Sequence, residues 1–150
     1  MELIIDEKDQ LILEVLKENC TLSTSKIAKS TKIPITTVHN RIKKLEKTGV
    51  IKGYTIRIDH QKLGMRIVAY ILISVDSKIL KNLRISQHDL GRKLMNHPCV
   101  EESAIVAGGS DLIVKIRVHD IEELDDFVTE QLRNMEGVEK TQTMIVLHEI

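Results

Sequence analysis

Three short segments near the start of the chain have apolar residues at helical spacing. The pattern predicts a first helix that begins at Asp6 and ends near Glu18, and a second helix from Ser23 to Ser30. A third helix, over 35–48, follows a proline, which is compatible with the first turn of a helix but not with its interior. The inward face of this third helix is predicted to consist of Ile35, Val38, Ile42 and Leu45.

A short β-hairpin, or wing, is predicted after the third helix. Val50-Ile51 and Tyr54–Ile58 flank Lys52-Gly53, and the second of these runs alternates between apolar and polar positions. Two short helices joined by a tight turn, the second one apolar inside and basic outside, form a helix-turn-helix unit. We therefore predict helix-turn-helix helices in residues 1–52, and a wing strand with a linker in residues 53–65.

Residues 66–150 alternate between strand and helix patterns. Strands are predicted over 66–76, 100–106, 112–118 and 141–150. A helix is predicted from a capping box at Ser86 to Asn96, and a second one from Asp120 to Gly137. The order βαββαβ is ferredoxin-like, with two helices covering one face of a four-stranded sheet. The predicted fold class is α+β, a winged helix-turn-helix followed by a ferredoxin-like domain.

The first and last strands of this sheet are apolar on both faces. In the last strand, for example, Met144 and Val146 lie on one face and Ile145 and Leu147 on the other. Two helices cover only one face, and leaving ~500 Å² or more of apolar sheet in water is rare for a monomer. We therefore expect a homodimer formed sheet to sheet, which also suits a helix-turn-helix protein that binds two half-sites.

The net charge of zero results from two oppositely charged halves. Residues 1–66 carry 13 Lys and Arg against 8 Asp and Glu, which gives +5, and residues 67–150 carry 9 against 14, which gives −5. From residue 21 to residue 66 there are 11 basic residues and 2 acidic ones. This local excess predicts a module that binds a polyanion, and the helical pattern indicates double-stranded DNA.

The outward side of the third helix carries residue types that bind DNA in a sequence-specific way. A helix fits the major groove, where its early outward residues reach base edges and its later lysines reach phosphates. The candidates for base contacts are Thr36, Thr37, His39 and Asn40, and the candidates for phosphate contacts are Arg41, Lys43, Lys44 and Lys47. Two alternatives stay open: Thr36 and Thr37 as ordinary first-turn residues, and Arg41 as a structural ion-pair partner.

No cluster of reactive side chains predicts an enzyme, a metal site or a cofactor. The six histidines are scattered and none has a second ligand at metal spacing, and no phosphate loop or nucleophile elbow occurs. No apolar run approaches the length of a membrane span, and the start of the chain lacks the pattern of a secretion signal. We expect a cytoplasmic protein without a membrane partner, in which Cys20 and Cys99 are buried free thiols.

The run from Ile33 to Tyr54 resembles the recognition helix and wing of the leucine-responsive/asparagine-operon (Lrp/AsnC) regulators. Further motifs similar to that family follow in the same order: Ile58-Asp59, Lys62-Leu63-Gly64, His97-Pro98-Cys99-Val100, Gly108-x-x-Asp111 and Gly137-Val138 before Thr141-x-Thr143. The resemblance covers essentially the whole chain. It implies a regulator-of-amino-acid-metabolism (RAM) domain in residues 66–150, dimers that often assemble into tetramers or octamers, and a small-molecule effector that is frequently an amino acid.

The same resemblance places the effector near the Gly-x-x-Asp turn. Glycines let backbone amides approach a carboxylate, and an aspartate can pair with an ammonium group. The effector-binding candidates are Gly108, Gly109 and Asp111, with Thr141 and Thr143 as wall residues. The alternative is that the glycines only allow the turn and that Asp111 caps it.

Three features depart from the family pattern. Lys32 stands in the helix-turn-helix turn where relatives often have glycine, which predicts a slightly strained or differently shaped turn. Ser110 replaces the aromatic residue often found in the Gly-x-x-Asp turn, which puts the usual class of effector in doubt. The segment 77–86 is longer than expected between the first RAM strand and its helix, and is a candidate for an extended contact between dimers.

Two other functions stay open at this level. A relative of the Lrp-like sirohaem decarboxylases would keep this two-domain outline, and it would be coloured when it binds a tetrapyrrole. A ligand-sensing module that has lost DNA binding would fail in gel shifts. Single-stranded RNA is disfavoured, because only three aromatic side chains are available to stack on bases.

Overall fold

The structure is a computed structural model that describes residues 5–149, and the chain divides into two compact units, residues 1–58 and 59–150. The division falls inside the predicted linker 53–65. Ile150, the predicted end of the last strand, lies outside the described residues.

The first unit contains the three predicted helices: α1 (Glu7–Glu18), α2 (Thr24–Thr31) and α3 (Ile35–Lys47). At the start of α1 the side chains of Asp6 and Asp9 each accept a hydrogen bond from the other's backbone N–H, which forms a capping box. Ser23 caps α2 through the backbone N–H of Lys26. The bounds differ from the predicted ones by about one residue, because caps and apolar spacing are local signals.

The helices of the first unit close on a small aliphatic core of Ile12, Ile27, Ile33 and Val38. Leu45 is also fully buried on the inward face of α3. The prediction that Ile35 faces inward is wrong, since its side chain is 50% exposed. Ile33, from the turn before α3, is buried in this core, so Ile35 remains at the open end of the helix.

The turn between α2 and α3 is built on a left-handed lysine. Lys32 ends α2 with φ 56° and ψ 27°. A residue with a Cβ atom is disfavoured in this region, and glycine is its usual occupant at the end of a helix. The backbone of this turn therefore has the unusual conformation that the lysine predicts.

The predicted wing is wrong for the described chain, because residues 52–59 have no regular secondary structure. Only two residues precede the Lys52-Gly53 turn, and the backbone N–H of Ile51 already donates to the carbonyl of Leu45 at 3.0 Å. A strand needs a neighbour for its backbone groups, and among residues 5–149 no strand pairs with this segment. Tyr54, Ile56 and Ile58 are consequently exposed.

The second unit is a four-stranded antiparallel sheet with helices on one face, and this confirms the predicted α+β class. A short 3₁₀ turn (His60–Leu63) precedes these elements: β1 (Ile67–Val75), α4 (Ser77–Leu83), α5 (Gln87–Met95), β2 (Val100–Ile105), β3 (Leu112–Val118), α6 (Ile121–Asp126) with a π-helical continuation (Phe127–Leu132), and β4 (Val138–Ile145). The strand order β2-β3-β1-β4 is that of a ferredoxin-like sheet.

Two elements of this unit differ from the sequence prediction. The long segment after β1 contains α4, whose start is capped by the Asp76 side chain through the N–H groups of Lys78 and Ile79. This helix was missed because its seven residues bury only Leu80, too little for a periodic signal. β4 begins at Val138, three residues before the predicted start, and ends at Ile145.

The core lies between the sheet and the helices. Ala69, Ile71 and Ile73 of β1 are fully buried there, together with Leu112, Val114 and Ile116 of β3 and Leu90, Leu94, Phe127 and Leu132 of the helices. Cys99 joins this core, and burial, with a contribution from Glu123, raises its thiol pKa to about 11. Cys20 is only half-buried, so the prediction of two buried thiols is right for Cys99 alone.

The sheet face opposite the helices, called the outer face here, is mixed rather than wholly apolar. Tyr70 and Leu72 of β1 are half-buried on it, and their β4 partners Met144 and Gln142 are exposed. Arg117, only 7% exposed, also lies on this face. The prediction of an uncovered sheet face is confirmed for the single chain, but ion pairs occupy part of it.

Candidate nucleic-acid interface and effector site

The predicted DNA-contact residues of α3 divide into an exposed group and a half-buried pair. Thr37 and Arg41 are half-buried, on the side of α3 that turns towards the other helices. The exposed group, called the outward side of α3 here, consists of Thr36, His39, Asn40, Lys43, Lys44 and Lys47. One helix therefore carries hydrogen-bonding side chains in its first turns and positive charge in its last ones.

The lysines of this outward side have no carboxylate within ion-pair distance among residues 5–149. This holds for Lys43, Lys44 and Lys47, although Glu46 lies on the same helix. The Glu46 carboxylate accepts a hydrogen bond from the Tyr54 hydroxyl at 2.8 Å. The positive charge at this end of α3 is therefore available for phosphate groups.

Arg41 is engaged inside the first unit. Its Nη1 atom donates to Asp9 Oδ1 at 2.9 Å and to Asp6 Oδ2 at 2.6 Å. The bonds to Asp9 and Asp6 raise the pKa of Arg41, and the pKa of Asp6 is lowered by the N–H of Asp9 and by Arg41. Because the Asp9 side chain is fully buried, this geometry favours the structural ion pair over a phosphate contact for Arg41.

Sequence reasoning missed two residues beside the outward side of α3. Ile35 and Thr24, from the first turns of α3 and α2, line an open depression of about 490 Å³ with Thr36, His39 and Asn40. Ile35 was assigned to the core from its spacing, and Thr24 gave no signal beyond its place after the Ser23 cap.

The Gly-x-x-Asp turn joins β2 to β3, and its aspartate is bound by the fold. Asp111 Oδ2 accepts from the backbone N–H of Val75 and Oδ1 from the Gln87 side chain, both at 2.9 Å. The turn thereby ties the end of β1 to the start of α5. Gly108 has φ +146° and Gly109 is exposed, and both face open space. This arrangement favours the alternative that Asp111 caps the turn.

The two predicted wall residues lie on the other side of β1. Thr141 pairs with Ile73 and Thr143 with Ile71, while the backbone N–H of Asp111 donates to the carbonyl of the same Ile73 at 2.9 Å. Asp111 and Thr141 are thus two strand spacings apart, roughly 10 Å. Thr141 is half-buried and Thr143 exposed. Within one chain the predicted effector residues lie near one another, but they do not line an enclosed pocket.

A groove with a volume of about 410 Å³ lies beside the Gly-x-x-Asp turn, between α5 and β2. Gln87 links the groove to Asp111, and Arg92 adds a positive charge to its wall. The helix approaches β2 closely at Gly91, where a Cβ atom would lie 3.2 Å from Ser103 Oγ. Sequence reasoning missed Gln87, whose only signal was its position after the Ser86 cap.

No group of three or more His, Cys, Asp and Glu side chains placed to hold a metal ion occurs in residues 5–149. Within that range no helix has both the length and the apolar character needed to cross a membrane.

Family models match both units of the chain. Residues 5–52 match a winged helix-turn-helix DNA-binding domain, and residues 68–150 match the Lrp/AsnC ligand binding domain. The HTH-type transcriptional regulator FL11 of Pyrococcus furiosus is 36% identical over 144 residues, which cover 96% of this chain and 90% of that protein. An uncharacterised HTH-type transcriptional regulator of the same organism, PF0250, is 35% identical over 142 residues, covering 95% and 92%.

Solved structures share the fold. The crystal structure of the transcriptional regulator NMB0573 from Neisseria meningitidis, determined as an L-Met complex, superposes with a TM-score of 0.89 at 24% identity. The match covers 98% of this chain and 92% of that one. At this level of identity the likeness concerns the fold alone.

A DNA-binding helix-turn-helix unit on the same chain as a ligand-binding α+β unit defines a ligand-modulated transcriptional regulator. The relatives are named as regulators, and the chain is accordingly a DNA-binding protein rather than an enzyme. It belongs to the Lrp/AsnC family.

Proposed function

We propose that this regulator recognises a specific duplex DNA sequence through the outward side of α3, as a homodimer or a larger even-numbered assembly, and that an amino acid or similar metabolite alters the binding. One observation carries the proposal: exposed hydrogen-bonding side chains in the first turns of α3 are followed by three lysines without ion-pair partners in the described residues. The first group suits base edges and the second suits phosphates.

The base-reading part of the proposal rests on side-chain chemistry. An asparagine can form two hydrogen bonds with adenine in the major groove, which makes Asn40 the strongest candidate for a specific contact. His39 and Thr36 are exposed beside it and offer further donors and acceptors.

Selection of genomic DNA fragments by the purified protein tests this part. We expect enrichment of one motif with two related half-sites about one helical turn, or a multiple of it, apart. Asn40→Ala should reduce the enrichment of that motif, while Asn82→Ala, on α4, should leave it unchanged. Fragments retained without any shared motif would contradict sequence-specific recognition.

Self-association is supported by the apolar part of the outer face. Leu72 lies at its centre, paired with Ile113 on one side and Gln142 on the other. Tyr54, Ile56 and Ile58 of the extended segment offer further exposed apolar surface. Covering such surface with a second copy removes it from water, which is the main source of stability in homodimers.

Sedimentation velocity tests this part. We expect dimers or larger species for the wild type and a shift towards monomer for Leu72→Arg. Ile121→Arg is the matched control, because Ile121 is exposed on α6 and not on the outer face. A wild type that sediments as a monomer at micromolar concentration would contradict the proposal.

An amino-acid effector is supported by the Lrp/AsnC ligand-binding match and by the L-Met complex of the Neisseria structure. The turn offers exposed Gly108 and Gly109 to a carboxylate, and Thr141 and Thr143 offer hydroxyl groups on β4. Asp111 is a poor site for a test, because its removal would strand the N–H of Val75 and the Gln87 amide.

Thermal shifts with each amino acid, followed by DNA-binding assays, test the effector. The double variant Thr141→Val/Thr143→Val should lose the response and keep its DNA affinity. Thr129→Val is the control, since Thr129 lies on the π-helical continuation of α6 and not on β4. An equal response in the double variant would place the effector away from β4.

A further inference from the structure

Ile35 is an apolar residue at a place where the rest of the surface is polar. It is the first residue of α3, and its side chain is 50% exposed. The core of this unit is completed by Ile33, so burial inside the protein does not account for Ile35. The other residues around the depression all carry hydrogen-bonding groups. They are Thr24, Thr36, His39 and Asn40.

The chemistry of the major groove offers one apolar group for such a side chain. Each base pair presents donors and acceptors there, and a T·A pair adds the 5-methyl group of thymine. Hydroxyl, imidazole and amide groups gain little from a methyl group, whereas an aliphatic side chain removes it from water. Ile35 is one helical turn from His39, so it and the proposed base readers occupy the same end of α3.

We infer that Ile35 is a specificity-determining residue that contacts the 5-methyl group of a thymine in the bound duplex. This inference rests on the proposed function, because it requires the start of α3 to lie in a major groove. It assigns Ile35 a preference for thymine over uracil at one position of each half-site, and the Ile35→Ala variant separates this contact from one made by the methyl group of Thr36.

The test compares thymine with uracil, which differ only in this methyl group. The probe is a duplex obtained by selection from a random DNA pool with the wild-type protein, and each thymine of one half-site is then replaced singly by uracil. Loss of one buried methyl contact should weaken wild-type binding roughly fourfold at one position. Ile35→Ala should bind the thymine and uracil duplexes equally at that position.

A matched control excludes a general effect of losing an exposed aliphatic side chain. Leu11 is 45% exposed on α1, and Leu11→Ala should keep the wild-type preference for thymine. Alanine is a better helix former than isoleucine, and circular dichroism of Ile35→Ala should therefore match the wild type.

Each outcome decides the inference. A half-site without thymine, no loss on any uracil replacement, or a loss that persists in Ile35→Ala overturns the role of Ile35 and leaves the proposed function intact. Failure to select any duplex overturns the proposed function, and the role of Ile35 with it.

Discussion

Arg41 Nη1 donates a hydrogen bond to the fully buried Asp9 carboxylate at 2.9 Å, and this bond joins α3 to the start of α1. Asp9 also belongs to the capping box of α1. A single carboxylate therefore fixes both the beginning of one helix and the rotation of another. A basic residue on a DNA-binding helix is used here for positioning.

Removal of either partner should destabilise the first unit without removing a phosphate contact. Asp9→Ala leaves the guanidinium without its buried partner, and we expect a loss of roughly 2 kcal/mol in the free energy of unfolding. Arg41→Ala should also destabilise, and the double variant should cost less than the sum of the two. Urea unfolding of the four proteins measures this, and strict additivity would contradict a direct interaction.

Lys43 and Lys44 should behave differently from Arg41 in DNA binding. Each lysine-to-alanine change should lower the slope of log affinity against log salt by about one, because one phosphate contact is lost. Arg41→Ala should keep the wild-type slope even where affinity falls. Lys17→Ala, an exposed lysine on α1, is the control. Unchanged slopes for both α3 variants would refute their assignment as phosphate contacts.

Glu101 should make the second unit sensitive to acid. Burial alone would raise its pKa, but hydrogen bonds from Arg117 Nε at 2.6 Å and from Lys115 at 3.0 Å outweigh burial and hold the pKa below its ordinary value. A lowered folded-state pKa gives stability that is present above the unfolded value, about 4.3, and is lost as the pH falls through the folded one.

The pH dependence of Glu101→Gln distinguishes this interaction. The variant should be less stable than the wild type at pH 7, and the two should converge as the pH falls below the unfolded value of about 4.3 and through the lowered pKa of the folded state. Urea unfolding between pH 3 and pH 7 measures the difference. A constant difference across that range would show that the charge of Glu101 does not contribute.

Gly137 should not tolerate a side chain. Its φ is +91°, and a Cβ atom built there would collide with the Leu80 side chain. Backbone strain and overpacking together predict a loss on the order of 3 kcal/mol for Gly137→Ala. Gly109→Ala is the matched control, since that position faces open space and should change stability by less than about 0.5 kcal/mol. Equal effects of the two changes would contradict the prediction.

Local patterns in the sequence were sufficient for most of the secondary structure. The limits of β3, Leu112–Val118, match the prediction, because an apolar run between a glycine turn and Asp120 marks both ends. The capping box of Ser86 and Asp89 likewise located the start of α5. These signals act within a few residues of the element that they define.

The features that were missed depend on partners far along the chain or on exposure. Spacing left Arg41 open between a phosphate contact and a structural ion pair, because its partner Asp9 lies 32 residues earlier. Spacing also put Ile35 in the core, although Ile33 fills that place. The alternating run 54–58 has the pattern of a strand, and a strand forms only where backbone groups find a neighbour.

The hydrogen bonds between Arg117 and Glu149 set a limit on how far the chain can be shortened. Glu149 binds the guanidinium through both carboxylate oxygens, at 2.9 Å and 3.0 Å. A version that stops before this residue would leave a nearly buried cation with Glu101 as its remaining carboxylate partner among residues 5–149. Trimmed variants made for crystallisation should therefore retain Glu149, and fusion partners are better attached at the opposite terminus.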